Sequence, residues 1–567
     1  MLSATGWVPR GFASEFPEKY ELDDEEMERI TKLAQLEIND AKKSIEQLEE
    51  SDKDDEDKEE ATNGGMKEQL DFDDDLKEYD LEHYDDDEEE GEGVMASIPG
   101  LSNEVEFHEG DDENDPYISL PTQEEELEDK QEYQIYPTDN LILATRTEDD
   151  VSYLDVYVYD DGAGAPEGAQ EEEGDKLDPD VANGFQRESS LYMHHDLMLP
   201  SFPLCVEWIN YRPNKSGIQD ETSNVGNFAA IGTFDPQIEI WNLDCVDKSF
   251  PDAILGEPSA NSSQSLGSKK KKKKSKSQHV TTHHTDAVLS LSHNQFHRNV
   301  LASTSADHTI KLWDLNTATA VRSLDTIHSG KHVSSSQWHP SEGTIILTGG
   351  YDSRIAISDV RVEDSSKISR YWKVDGAQDI ESVSWNTGEQ FLAGTDQGNV
   401  YAFDIRNQDK PLWTLQAHDA GISSLQVNKF MPDLLVTSAM GEKQTKLWKI
   451  PTDSESKKGP SMVFSRDFGV GNVLTSSFAP NVEIAGNLVV GGVNKGLKLF
   501  DVFSNRGVRN TFRDSLRTLQ KQAREEAVSQ GKASRFARKY HTDANETILQ
   551  VESGGEDESE DDEEIDE

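Results

Sequence analysis

One strand recurs along the middle of this chain. It reads Val156-Tyr157-Val158-Tyr159-Asp160, Ile238-Glu239-Ile240-Trp241-Asn242, Ile310-Lys311-Leu312-Trp313-Asp314, Ile355-Ala356-Ile357-Ser358-Asp359, Val400-Tyr401-Ala402-Phe403-Asp404, Thr445-Lys446-Leu447-Trp448-Lys449 and Leu497-Lys498-Leu499-Phe500-Asp501. The steps from Trp313 to Ser358, to Phe403 and to Trp448 are each 45 residues. A small-residue strand and a turn precede several copies, as in Leu301-Ala302-Ser303-Thr304-Ser305-Ala306-Asp307. A further strand opens three units behind a histidine, with His284 before Val288, His328 before Val333 and His418 before Ile422. Four short strands in 45 residues is the size of a propeller blade, and seven units lie within the four to eight that close a ring. The expected fold class is therefore all-β, a seven-bladed β-propeller occupying residues 132–504.

Within a unit, His284, Ser303, Asp307 and Trp313 have the types and order for a hydrogen-bonded set, in which the turn aspartate accepts from backbone amides and from the histidine. Gln397, Glu442 and Asn494 replace the aspartate in the last three units, which are expected to rely more on apolar packing. Two insertions stretch the period. One lies near 162–180; the other, near 250–280, carries Lys269, Lys270, Lys271, Lys272, Lys273, Lys274 and Lys276, a run dense enough for nuclear import or a polyanion contact, although a solvated loop needs no function.

Charge divides the chain differently. The formal net charge is −59, with 113 acidic against 54 basic side chains. Most of the excess lies before residue 140, and residues 556–567 hold ten acids and no base. Such a chain does not act as a freely basic nucleic-acid binder. Residues 1–131 form an acidic extension: a helix is expected over 23–50, with disorder over 51–92, where too little apolar surface exists to offset chain ordering. The tail 541–567 is acidic again. Its runs suit basic proteins such as histones or ribosomal proteins, or simply deter unwanted association. Ser51 and Ser559 sit in acidic kinase contexts. Two cysteines exclude a disulfide-rich scaffold, and no apolar run reaches the ~20 residues of a membrane span, so an intracellular protein without a membrane partner or obligate homo-oligomer is expected.

Two segments invite binding. At the start, Trp7-Val8-Pro9-Arg10-Gly11-Phe12, followed by Phe16, resembles a short docking motif whose aromatics bury in a partner; packing on the chain's own ring is the alternative. After the ring, residues 505–540 hold ten bases and three acids. Arg506, Arg509, Arg513, Arg517, Lys521, Arg524, Lys532, Arg535, Arg538 and Lys539 interleave with Phe512, Phe536 and Tyr540, which offers stacking beside charge and so a candidate RNA contact. Packing on the propeller or on an acidic flank competes with that reading. No zinc spacing, phosphate-binding glycine loop or nucleophile elbow is present, so neither cofactor, metal nor catalysis is expected.

Those opening residues with Phe16-Pro17 and the acidic helix, Trp241, Trp313 and Trp448 at their strand ends, Trp338-His339-Pro340, Trp385, and Asp501-Val502-Phe503 leading to Arg513 together resemble the periodic tryptophan protein 1 family, WD-repeat proteins of the nucleolus. The resemblance covers essentially the whole chain. It implies a WD40 propeller acting without catalysis in large-subunit ribosome assembly. The implied partners are other assembly factors, ribosomal proteins and precursor rRNA, in the nucleolus and nucleus. A chromatin-associated propeller or histone chaperone is the rival class, and a ubiquitin-ligase substrate receptor a poorer third.

Overall fold

The computed structural model describes residues 1–20, 106–108, 117–119, 133–161, 189–213, 224–256, 279–364, 367–452, 459–494, 496–529, 534, 536–540 and 548–550. The helix expected over 23–50, the segment 51–92, both phosphorylation contexts, most of both insertions, the lysine run and the acidic tail apart from Ile548–Gln550 lie outside them. Contacts separate residues 21–128 from the rest as a unit of their own. Its described part is one antiparallel pair, Glu106–His108 with Tyr117–Ser119.

The remainder is the propeller that the repeat predicts: seven four-stranded antiparallel sheets. Their inner strands are Leu2–Val8, Pro203–Ile209, Val288–His293, Val333–Trp338, Ile380–Trp385, Ile422–Asn428 and Val473–Phe478. The recurring strand is the third in every blade, where Trp241, Trp313, Phe403 and Phe500 are almost wholly buried. Facing sheets leave no room beside the second strand. A Cβ on Gly349 would stand 2.6 Å from Ile380 of the next blade, and one on Gly394 would stand 2.9 Å from Ile422.

The ring extends past 132–504 in both directions. Leu2–Val8 is the inner strand of blade one, paired with Asn140–Glu148. Ile548–Gln550 is the outer strand of blade seven, paired with Lys498–Asp501. Strand-forming residues at both chain ends thus complete blades whose other strands lie far away in sequence.

Trp7 stands one residue before the end of its strand and Trp338 and Trp385 at the end of theirs, each five residues after a buried aliphatic (Leu2, Val333, Ile380), and all three indoles act alike. Trp338 Nε1 donates to Ser292 O (2.9 Å) and Trp385 Nε1 to Gln337 O (3.3 Å), each in the preceding blade; Trp7 Nε1 donates to Ser477 O of blade seven (3.3 Å). A second link runs beside the first. In four blades the side chain one residue before the position that matches Trp7 accepts the amide of the next blade's strand end: Glu207 from His293 (2.9 Å), Ser292 from Trp338 (3.3 Å), Gln337 from Trp385 (2.7 Å) and Gln426 from Phe478 (3.3 Å).

In blade three, Trp313 Nε1 donates to Ser303 Oγ (2.8 Å), Ser303 Oγ lies 2.7 Å from His284 Nε2, and His284 Nδ1 lies 2.9 Å from Asp307. Burial lowers the His284 pKa, which fits a neutral ring accepting at Nε2 and donating at Nδ1. Blade six is built the same way, contrary to the expectation from sequence. Trp448 Nε1 donates to Thr437 Oγ1 (2.8 Å), His418 bridges Thr437 (2.9 Å) and Glu442 (2.7 Å), and the glutamate's extra methylene spans the turn. Blade five lacks the histidine, and Thr395 donates to Gln378 there (2.7 Å).

Two measurements follow. Trp7→Ala removes a buried indole and its ring-closing hydrogen bond, and should cost about 3–5 kcal/mol, read as a lower denaturant midpoint; equal stability of the variant would refute the closing role. Burial pushes the partly buried Glu207 carboxyl up to about 7, against the His293 amide. The folded state then holds a proton that the unfolded chain releases near pH 4.5, so this contribution to stability is present below that pH and is lost as pH rises to about 7. Glu207→Gln, the side chain already present as Gln337 and Gln426, should flatten the fall in Tm between pH 5 and 8.

Candidate functional site

The third strand of blade seven leaves the ring at Asp501, on the face where the inner strands end. Asp501 Oδ1 accepts from Phe503 N (3.0 Å), turning the chain, and Asn505 caps the next helix through Gly507 N (2.8 Å) and Val508 N (3.2 Å). That helix, α1 (Arg506–Thr511), leads into α2 (Arg513–Ser529) and the short α3 (Phe536–Lys539). Leu516, Leu519, Ala523 and Ala527 recur at steps of three and four and are the buried side of α2. Phe512, Leu516, Leu519 and Ala523 share one core with Met431, Leu434 and Val436 of blade six and Val482 and Ala485 of blade seven. Polar links fix the register: Ser515 Oγ donates to Asp433 (2.8 Å), and Lys449 Nζ donates to Thr511 O (2.8 Å) while lying over the Phe512 ring.

This packing removes the expected stacking platforms. Phe512 and Phe536 are 0% and 1% exposed. Tyr540 stands edge-on to Phe503 and Phe536 and donates to Asp501 (2.8 Å), and burial pushes its phenol well above the ordinary value. The aromatics interleaved with the bases serve the ring because they supply the apolar side of helices that would otherwise not dock. Arg509 is also engaged, its Nη1 donating to Phe503 O (2.8 Å) and Ser504 O (2.7 Å). Arg506, Arg513, Arg517, Lys521 and Arg524 are exposed. Arg535 lies outside the described residues, and of Arg538 and Lys539 only the backbone helix is described.

The N-terminal motif is engaged too. Trp7 is buried in the ring closure, and Phe12 meets Trp208 of blade two edge-on at 4.8 Å. Arg10 donates to Asn140 (2.7 Å) and to Asp161 (2.6 Å), while Asn481 of blade seven accepts from the Arg10 amide (3.3 Å) and from Asn140 (2.8 Å). The chain continues past Pro9 along the ring until Glu18–Lys19 pairs in parallel with Cys245–Val246. The expectation of a partner for these aromatics is corrected for Trp7 and Phe12, whose rings are satisfied internally; Phe16 is 46% exposed. The five-residue step from Leu2 to Trp7, repeated at Val333–Trp338 and Ile380–Trp385, is the sequence signal that identifies the strand.

The family described as WD domain, G-beta repeat matches residues 275–314, which include the Trp313 blade unit. Periodic tryptophan protein 1 of Saccharomyces cerevisiae is 60% identical over 99% of this chain and 98% of its own length. The chain belongs to the periodic tryptophan protein 1 family. A Drosophila melanogaster periodic tryptophan protein 1 homolog is 31% identical over 89% of the chain and 95% of its own length, and an uncharacterized WD repeat-containing protein of Schizosaccharomyces pombe is 38% identical over 90% and 91%. Membership in the periodic tryptophan protein 1 family, on a WD40 ring, makes the chain a scaffold without catalytic activity.

Phe512→Ala should loosen the helical segment from the ring. Limited proteolysis is expected to cleave between residues 505 and 530 at least tenfold faster than in the native chain while the ring core resists; unchanged cleavage would contradict the docking.

Proposed function

We propose that this protein is a non-catalytic scaffold in assembly of the large ribosomal subunit, working in the nucleolus and nucleus and supporting precursor rRNA processing. The observation that carries this reading is full-length membership in the periodic tryptophan protein 1 family, joined to a basic helix held rigidly on a ring in an otherwise acidic chain. The ring supplies rigid surface for other assembly factors. Arg506, Arg513, Arg517, Lys521 and Arg524 meet rRNA phosphates, with Arg535, Arg538 and Lys539 extending the contact; Arg509 supports the turn instead. The acidic extensions attract basic ribosomal proteins, and the lysines from Lys269 to Lys276 serve nuclear import. Phosphates on Ser51 or Ser559 would add charge where charge is already high.

The test is RNA crosslinking in cells. A tag belongs at the C-terminus, because the Met1 amine donates to Thr147 O (2.6 Å) within blade one. Removing residues 505–540 would uncover Phe503, so the informative variant is Arg513→Gln, Arg517→Gln, Lys521→Gln and Arg524→Gln together, which keeps good helix formers. Crosslinks on large-subunit precursor rRNA should fall at least tenfold in the variant. Histones recovered in place of rRNA would sink the assembly reading in favour of histone chaperoning.

A further inference from the structure

We infer that the exposed side of α2 takes double-helical RNA, by its phosphate backbone, in preference to single strands. This deepens the proposed rRNA contact and rests on it.

Arg513, Arg517, Lys521 and Arg524 follow steps of four, four and three, and at 3.6 residues per turn they fall within about 80° of the helix circumference. The row is about 16 Å long at ~1.5 Å per residue. Lys521 meets Glu525 at 3.7 Å with both side chains largely exposed, an i,i+4 pair that restrains the lysine weakly. Arg513, Arg517 and Arg524 have no ion pair among the described residues. The acids on α2 are Asp514, Glu525 and Glu526. Asp514 and Glu525 project beside the row, and Glu526 projects from the far side.

Two features select the ligand. Single-stranded RNA is held by stacking of splayed bases on aromatic faces beside charge, and the aromatics here are enclosed. Phe512 and Phe536 sit in the blade-seven core, and Tyr540 is tied to Asp501. What remains is a straight row of cations carrying no ring. The row is also stiff, because Leu516, Leu519 and Ala523, about 120° around the helix from it, anchor the helix to blades six and seven. A straight, fixed row suits a ligand whose phosphates are themselves fixed in a regular line, as in an A-form duplex, and loses that advantage on a flexible strand. Contacts of this kind follow backbone shape without reading sequence.

The experiment uses the purified full-length protein and fluorescence anisotropy with a labelled RNA hairpin stem of about 20 base pairs and an unstructured single strand of equal length. The stem should bind at least about fivefold tighter. Its log K against log salt should have a slope near −3 to −4, as expected for four phosphates at about −0.9 each on a duplex. The four-fold glutamine variant, with circular dichroism confirming an intact ring, should bind the stem at least tenfold more weakly and with a slope near zero. Stripe-dependent binding in which the single strand equals or exceeds the stem would overturn the duplex inference and leave the rRNA contact standing. Absence of stripe-dependent binding to either RNA would overturn both.

Discussion

The structure depends on a strand wedged between the two ends of the ring. Leu2–Val8 lies between the inner strands of blades two and seven, with Thr5 Oγ1 2.8 Å from Thr475 Oγ1 and Trp7 bonded to Ser477. Leu2 and Trp7 share a core with Val489 and Leu499 of blade seven, and Val8 shares one with Trp208 of blade two. Without this strand, blade one has no inner edge and both neighbouring blades expose an apolar flank. Residues 9–139 then intervene before the chain returns to blade one. The entropic cost of closing such a long excursion grows only with the logarithm of its length, about 0.6 kcal/mol per doubling. A closing strand worth several kcal/mol therefore tolerates a long acidic segment between itself and its sheet.

Blade-to-blade cohesion does not rely on one motif. The indole links, the amide-accepting side chains one residue earlier and the histidine-centred sets appear in different combinations around the ring. Trp338 coexists with a His328–Thr348–Asp352 set and Trp385 with a turn that has no histidine, while blade six combines His418, Thr437, Glu442 and Trp448 with an inner strand that ends without tryptophan. What each blade conserves physically is one donor directed into its neighbour and a filled interface. This is why Ser358 can stand where an aromatic is expected: its hydroxyl lies 2.6 Å from Ser369, and Trp372 on the outer strand fills the blade-four to blade-five core.

The seven blades were legible because the third-strand pattern recurs at constant spacing and each copy buries the same positions. The closing strand was harder to read, since its register to Asn140–Glu148 spans more than a hundred residues and no local period leads to it. The replacement of Asp by Glu442 was misread because residue type alone hides that a longer carboxylate reaches the same histidine. At the helix, the alternation of basic residues and aromatics did not reveal which of them the ring would enclose. Charge pattern marks what can face water, whereas the steps of three and four through Phe512, Leu516, Leu519 and Ala523 decide what is buried, and the two patterns share the same residues' neighbourhood.

Summed over the whole chain, a net charge of −59 argues that repulsion should forbid a polyanion contact. It does not, because screening limits the reach of each charge to about 8 Å at physiological ionic strength, and the field at a surface is set by what lies within that distance. Along α2 the immediate surroundings of Arg513, Arg517 and Arg524 are basic, with Asp514 and Glu525 as the nearby offsets on the same helix. On the proposed reading, the distant acids slow the approach of an unspecific polyanion, and the short-range row holds one whose shape brings several phosphates into register together. The burial that encloses the aromatics also fixes the helix that carries those charges.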